Sequence, residues 1–344
     1  MSVLVANYNY AQYLEPCLAS AMAQTYGNLE IVVCDDGSSD NSLDILMDIA
    51  RRDSRIRVLS QPNGGQAGAL NRAYSECHGA VICILDADDV IASNKVAATV
   101  QAFVKEPAAG LATHYVAVID SDGVRKQRPA LPVRLDQGWK GEEMLRQGMD
   151  CLLPPATGLS LRREIADRVF PIPPCFRQIA DGFVSRAAAL LACIAPINQI
   201  LADYRIHSNN LTGIHVSSVE GLRKQVRLAS LLITELCLWV ESNLGTHLEP
   251  ESILRTNSDY LESHLALHIL TTPGAVRDRA ILLAVVNGPS SRLRKLAWRF
   301  LYRLNPGLAG RLLAQWWGPS LSKALLHRLL LRVTRRSQVA AHAK

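Results

Sequence analysis

Apolar and polar positions along the first ninety residues alternate between two spacings. Short aliphatic runs near 2–6 (Val3-Leu4-Val5), 29–35 (Ile31-Val32-Val33), 56–60 and 80–85 (Ile82-Cys83-Ile84-Leu85) predict strands. Between them, apolar residues recur at helical spacing. Tyr13, Leu14, Cys17, Leu18, Ala21 and Met22 mark one helix, Leu43, Leu46, Met47, Ile49 and Ala50 a second, and Ala73 and Tyr74 belong to a third. Strand and helix in alternation imply an α/β fold, a parallel sheet joined by right-handed crossovers. Such sheets bind ligands outside the carboxyl ends of their strands. Polar residues collect at those ends: Asn9, Asp36, the loop Asn63-Gly64-Gly65-Gln66-Ala67-Gly68 and the segment from Asp86 to Asp89.

The segment Asp86-Ala87-Asp88-Asp89 sets three carboxylates within four residues at the end of an apolar strand. Like charges this close raise one another's pKa or recruit a cation, and an all-oxygen cluster suits a hard divalent ion such as Mg²⁺ or Mn²⁺. Taken alone, the same pattern also fits an acidic, solvated strand-to-loop turn. Upstream, Asp35-Asp36-Gly37-Ser38-Ser39-Asp40 repeats the arrangement: Gly37 permits a tight turn, and Ser38, Ser39 and Asp40 are residue types that open helices. The small residues around Gly65 let backbone N–H groups approach a phosphate or a sugar.

These residues resemble the family 2 glycosyltransferases of GT-A fold. The likeness rests on Asn7-Tyr8-Asn9, Gln24-Thr25-Tyr26 with Asn28 and Glu30, Asp35-Asp36-Gly37-Ser38-Ser39-Asp40, Asn63-Gly64-Gly65 with Gly68-Ala69 and Asn71, and Leu85-Asp86-Ala87-Asp88-Asp89, in the family's order. It covers 1–110 closely and 111–215 more loosely, and ends by about residue 220. The resemblance implies a Rossmann-like sheet with helices on both faces and an inverting, metal-dependent transfer from a nucleotide-diphosphate sugar. In that scheme Asp36, with Asp35 or Asn9 beside it, reads the base and ribose, and Gly65 belongs to the donor loop. Asp88 ligates the divalent metal, while Asp86 contacts the ribose or a metal-bound water. Asp89 is either a supporting residue or a helix cap. Asp181 stands where the family has a base, although the usual acidic pair is reduced here to Ala180-Asp181; the alternative role for Asp181 is the N-cap of a helix from Phe183 to Leu191. The run Tyr204-Arg205-Ile206-His207 resembles the end of the catalytic domain, where Arg205 or His207 approaches the diphosphate or the metal, and a loop hydrogen bond accounts for His207 equally well. Arg162 reads as a phosphate contact or a solvated arginine.

Charge divides the 344 residues. Positions 1–215 carry 19 Lys/Arg and 23 Asp/Glu, net −4, and positions 216–344 carry 18 and 8, net +10. This places a catalytic domain over 1–215 and a basic, mostly helical region over 216–344. From Arg279 to Lys344 there are 13 basic residues and no acidic one, interleaved with Trp298, Phe300, Tyr302, Trp316 and Trp317. Amphipathic helices on an anionic membrane and a packed helical domain with a solvated basic face both fit that stretch. Nucleic acid is not expected as a partner, since no recognised module accompanies the basic stripe. The absence of an eighteen-residue apolar run and a start directly on the first strand predict neither a membrane span nor a signal peptide, hence a cytoplasmic protein, peripheral at the inner membrane face if the tail is an anchor. The eight cysteines include no Cys-x-x-Cys and read as reduced core residues. The leading expectation is an enzyme that adds one sugar to a glycan or lipid-linked acceptor. The alternatives are a non-catalytic sugar-nucleotide-binding or scaffold protein of the same fold and, less favoured, a processive polysaccharide synthase, which lacks its Gln-x-x-Arg-Trp motif here.

Overall fold

A computed structural model describes residues 1–126, 130–132, 134–207 and 219–257, and positions 260, 261, 263, 264, 267 and 271. The basic stretch 279–344 and positions 208–212 of the motif around His207 lie outside the described residues. Backbone contacts divide the chain into two compact units, Met1–Ile214 with Thr234–Leu248, and His215–Ile233 with Glu249–Lys344.

The first unit is built on the expected alternation: β1 (Ser2–Asn7), α1 (Ala11–Met22), β2 (Glu30–Asp35), α2 (Ser42–Arg52), β3 (Ile56–Ser60), α3 (Gly65–Ser75) and β4 (Val81–Asp86). β1 pairs in parallel with β2 and β4, and β2 with β3. Val3, Leu4 and Val5, Ile31, Val32 and Val33, and Ile82 and Cys83 are fully buried, as continuous apolar strands between two helical layers should be. Past β4 the sheet becomes mixed. β5 (Val90–Ile91), α4 (Lys95–Lys105), β6 (Ala109–Ile119), α5 (Gly141–Arg146), β7 (Leu159–Arg162), α6 (Arg163–Val169), α7 (Ala180–Leu191) and β8 (Cys193–Arg205) follow, and the eight strands lie in the order β3-β2-β1-β4-β7-β6-β8-β5. β7 runs antiparallel to both β4 and β6. The main core lies under α1 and α2 against β1, β2 and β4, and a smaller one joins Phe103, Ala112, Ala195 and Leu201.

Two arginines read as solvent or phosphate groups serve this framework instead. Arg162 donates through Nε to the Ala109 carbonyl (2.7 Å) and through Nη2 to that of Phe103 (2.9 Å). Arg205, nearly fully buried, donates through Nε to the Asp88 carbonyl (2.7 Å) and through Nη1 to those of Asp120 and Ser121 (3.1 and 3.0 Å), and it lies over the Tyr13 ring. All eight cysteines are free, and five of them are buried.

In the second unit, the first half of α8 (Val219–Leu244) and α9 (Pro250–Leu254) bury Leu222, Leu232, Ile233 and Ile253. No helix among the described residues is long and apolar enough to cross a membrane.

Gly65 fixes how the chain closes over the sheet. Its φ is +80°, and a Cβ there would stand 2.6 Å from the Cα of Arg177. Only glycine tolerates both the left-handed backbone and that approach. Gly65→Ala is therefore expected to lower stability by on the order of 1–3 kcal/mol, read from urea unfolding.

Candidate functional site

The carboxyl ends of β1, β2 and β4 open into a cleft of about 440 Å³, within the range of small-molecule sites. Asn9, Asp36, Gly65, Asp86, Asp88 and Asp181, six residues singled out from the sequence, line it together. Asp35 and His207 are not among the lining residues.

Asp35 is 1 % exposed and faces inward, where its carboxylate accepts hydrogen bonds from Asn7 Nδ2 (2.8 Å), the Ser38 hydroxyl (2.6 Å) and the Ser38 amide (3.1 Å). It braces the turn after β2. Asn9, held at φ +58°, accepts the Ser39 amide through Oδ1 (2.7 Å), which ties β1's loop to the same turn. Asp40 bridges two helix starts, accepting from the Ala11 amide (3.1 Å) and the Ser42 amide (3.0 Å), while the residue preceding α2 is Asn41.

Asp36 accepts the amides of Gly64 (2.8 Å) and Gly65 (2.7 Å) and the Gln61 side chain (2.7 Å). The next two amides, of Gln66 and Ala67, donate to the carbonyls of Arg177 and Phe176. The glycine loop's amides are thus engaged within the chain, and the phosphate cradle expected of them is not available. What the glycines permit is the close passage of residues 176–177.

That passage delivers the far side of the cleft. Ile179 adopts φ +57°, ψ 25°, strained for a β-branched residue, and Gln66 Oε1 accepts the Ala180 amide (2.9 Å). Residues held in sparsely populated backbone regions cluster at functional sites. α7 begins at Ala180, so Asp181 sits inside its first turn and Ile179 holds the capping position without a side-chain cap. This earlier helix start removes the N-cap role for Asp181.

The three carboxylates at β4 part company. Asp89 is fully buried, and its oxygens accept the Thr157 hydroxyl (2.5 Å) and the Arg205 amide (2.8 Å). It caps no helix, since α4 starts at Lys95. Asp88 is 6 % exposed and pairs with His207 Nε2 at 2.9 Å. His207 in turn stacks on Tyr13 with ring centres 4.9 Å apart and meets Tyr10 edge-on at 5.5 Å, a placement that aims it at Asp88. Asp86, half-buried, faces the cleft.

Electrostatics follow from this crowding. Burial first, and then Asp89, Asp88 and Asp181, push the Asp86 carboxyl well above the ordinary carboxylate range. Burial also raises that of Asp181, against the opposing pull of the helix amides and Arg186. Burial and the neighbouring aspartates raise the Tyr10 and Tyr204 hydroxyls, so both stay protonated. Four aspartates and one arginine, Arg177, line the cleft. Arg177 and Gln178 carry no sequence signal beyond lying just before Ala180-Asp181, and Tyr204, which heads the Tyr204-Arg205-Ile206-His207 run, has no assigned role there; the fold adds all three to the cleft.

Among the described residues no three His, Cys, Asp or Glu side chains gather as a complete metal site. Mg²⁺ or Mn²⁺ asks for less: one or two carboxylates, with the remaining positions filled by substrate phosphate and water. An acid-rich cleft floor that sets the Asp86 and Asp88 carboxylates close together, with the crowding raising that of Asp86, fits such an ion. Two buried polar atoms, Asn7 Oδ1 and Gln178 Oε1, have no hydrogen-bond partner, and both residues line the cleft.

Comparison with known proteins extends the picture. Glycosyl transferase family 2 matches residues 2–170. An uncharacterized glycosyltransferase of Nostoc sp. is 36% identical over 232 residues, 65% of this chain and 69% of that protein. Glycosyltransferase GlyG of Streptococcus pneumoniae is 39% identical over 124 residues, 36% of this chain and 41% of the relative. A chondroitin synthase of Pasteurella multocida is 38% identical over 106 residues, 31% of this chain and 11% of that enzyme, so the chain matches a small part of its length. The crystal structure of S. aureus TarS 1–349 in complex with UDP-GlcNAc aligns with TM-score 0.54 at 17% identity, over 92% of this chain and 90% of that one. Mannosyltransferase PcManGT from Pyrobaculum calidifontis, in complex with GDP-Man and Mn²⁺, aligns with TM-score 0.50 at 18% identity, over 92% and 86%. Both likenesses are of fold, and the fold is of GT-A type, followed among the described residues by α8 and α9.

The raised Asp86 carboxyl makes a prediction about pH. The folded chain holds a proton that the unfolded chain releases near about pH 4, so its contribution to stability falls as pH rises above that value. In metal-free buffer Asp86→Asn should melt higher than the unsubstituted chain at about pH 7.5, and the gain should shrink toward about pH 5. Differential scanning fluorimetry across that range checks it.

Proposed function

The chain belongs to glycosyl transferase family 2, and on that premise we propose that this cleft binds a nucleotide-diphosphate sugar and transfers the sugar, with inversion, to a hydroxyl of a glycan or lipid-linked acceptor. One observation carries the reading: Asn9, Asp36, Asp86, Asp88 and Asp181, taken from four separate segments, line one acidic cleft at the carboxyl ends of parallel strands. Solved structures of the same fold hold UDP-GlcNAc in one case and GDP-Man with Mn²⁺ in another, which supports a nucleotide sugar as donor.

Asp36 and Asn9, at the ends of β2 and β1, face the nucleoside. Asn7 Oδ1, buried and without a partner, gives the floor an acceptor for an N–H or O–H of the ligand. Asp88, with Asp86 beside it, would hold Mg²⁺ or Mn²⁺ against the diphosphate, and His207 orients Asp88 through the 2.9 Å contact. When bound, the ion supplies positive charge where the departing phosphate gathers negative charge. Asp181 takes the proton from the acceptor hydroxyl as its oxygen bonds the anomeric carbon and the bond to the phosphate breaks. Burial has raised the Asp181 carboxyl, which brings its basicity closer to what a general base needs near neutral pH. Tyr10 and Tyr204 remain neutral hydroxyls beside the acids. Arg177, at the rim with Asn63, offers the cleft's positive side chain.

Two variants separate the roles. Asp88→Asn should abolish Mn²⁺-dependent binding of the donor while the protein stays folded. Asp181→Asn should leave donor affinity nearly unchanged and lower kcat by on the order of 10²-fold or more. A thermal-shift screen of UDP-, dTDP- and GDP-sugars identifies the donor, and titration and turnover measured on one sample then score both variants. Full turnover in Asp88→Asn, or in Asp181→Asn, removes the respective assignment.

The tail reading remains part of this proposal. Thirteen basic and no acidic residues from Arg279 to Lys344, interleaved with tryptophans, suit an anionic membrane surface. The full chain should sediment with anionic vesicles and be released by salt. Indifference to such vesicles at low salt ends the anchor reading.

A further inference from the structure

Behind the cleft floor lies a hydrogen-bond circuit that the proposed reaction does not touch. Thr157, in the short 3₁₀ turn Ala156–Gly158, is fully buried. Its hydroxyl donates to Asp89 Oδ2 at 2.5 Å and accepts the Asp86 amide at 3.2 Å. Asp89 Oδ1 accepts the Arg205 amide at 2.8 Å, and the Arg205 guanidinium returns to the Asp88 carbonyl at 2.7 Å. Each acidic residue is therefore gripped from behind at a different atom: Asp86 by its amide, Asp88 by its carbonyl and Asp89 by its carboxylate. The turn carrying Thr157 is itself fixed, because a Cβ on Gly158 would stand 2.5 Å from the Pro154 side chain and 3.2 Å from the His114 carbonyl oxygen.

We propose that Thr157 is a positioning residue of the donor site, its hydroxyl setting the backbone of Asp86 through Asp89 so that the Asp86 and Asp88 carboxylates meet the donor and its metal in one geometry. The chemistry of the position demands a hydroxyl. Here one group donates to Asp89 and accepts from the Asp86 amide together, a pair of roles that a hydroxyl fills and an alkyl group cannot. Threonine and serine do both in the space available; valine, of the same shape, does neither. Loss of the hydroxyl leaves a buried amide and a buried carboxylate oxygen without partners, and the strand end relaxes to repair them. Sites depend on such supporting bonds because small displacements of ligating groups weaken binding steeply.

The inference rests on the donor reading above, and its test keeps the two apart. The unsubstituted chain and its Thr157→Val and Thr157→Ser variants are titrated calorimetrically with UDP, dTDP and GDP, each in the presence of Mn²⁺, at a temperature where all are folded. Thr157→Val should weaken nucleotide binding by about tenfold or more, the range seen when a supporting partner of a ligand is lost, and Thr157→Ser should restore it. An unchanged Kd in Thr157→Val, whatever its melting temperature, overturns the inference, and so does equal weakening in Thr157→Ser, which points to packing. If Thr157→Val does not fold, Thr157→Ala, which also lacks the hydroxyl, is titrated under the same criterion. Failure of the unsubstituted chain to bind any of the three nucleotides overturns the donor reading, and this inference falls with it.

Discussion

Three carboxylates in four residues cannot share one low-dielectric pocket without compensation, and the architecture around β4 answers that repulsion. Asp89 turns away from the cleft and is satisfied by Thr157 and Arg205. Asp88 keeps its carboxylate near the cleft with His207 as partner. Asp86 is left half-buried, its carboxyl raised by burial and by its neighbours. Dividing the charges between interior and cleft is what allows a strand end this acidic to be stable while it keeps two carboxylates at the cleft.

The same economy governs Asp35 and Asp36. Adjacent in sequence, they take different partners, Asp35 as the last residue of β2 and Asp36 just beyond it. Asp35 ties down the turn that follows, and Asp36 gathers the glycine amides while still lining the cleft. Because Asp36 and the carbonyls of residues 176–177 consume the amides of residues 64–67, the glycine loop becomes a crossing point. The chain that crosses there reaches Ile179 in a strained conformation and sets Asp181 opposite Asp86. Acid and candidate base thus come together through a backbone contact between segments more than a hundred residues apart.

Family membership and fold agree with this geometry without assigning its substrates. In the chondroitin synthase the matched portion is 11% of the enzyme. Arg177 to Asp181 and the Thr157 turn, which complete the cleft and its support, belong to the later, mixed half of the sheet.

The sequence by itself determined the alternation of strand and helix in the first half, the parallel pairing of its strands and the polar residues at their carboxyl ends. Those features follow from local periodicity and from strand polarity, which are written into neighbouring residues. Which acid faces the cleft and which is a strut is set only by contacts between distant segments. Asp89 and Asp88 are chemically alike, and their fates differ because Thr157 and Arg205 arrive behind one and His207 beside the other. The tertiary structure likewise decided that Arg162 and Arg205 spend their charge on buried carbonyls, that Gly65 serves a chain crossing, and that Asp181 lies within a helix turn. The reason is common to all of them: the role of a polar group is set by the partner that satisfies it, and here those partners come from tens to more than a hundred residues away.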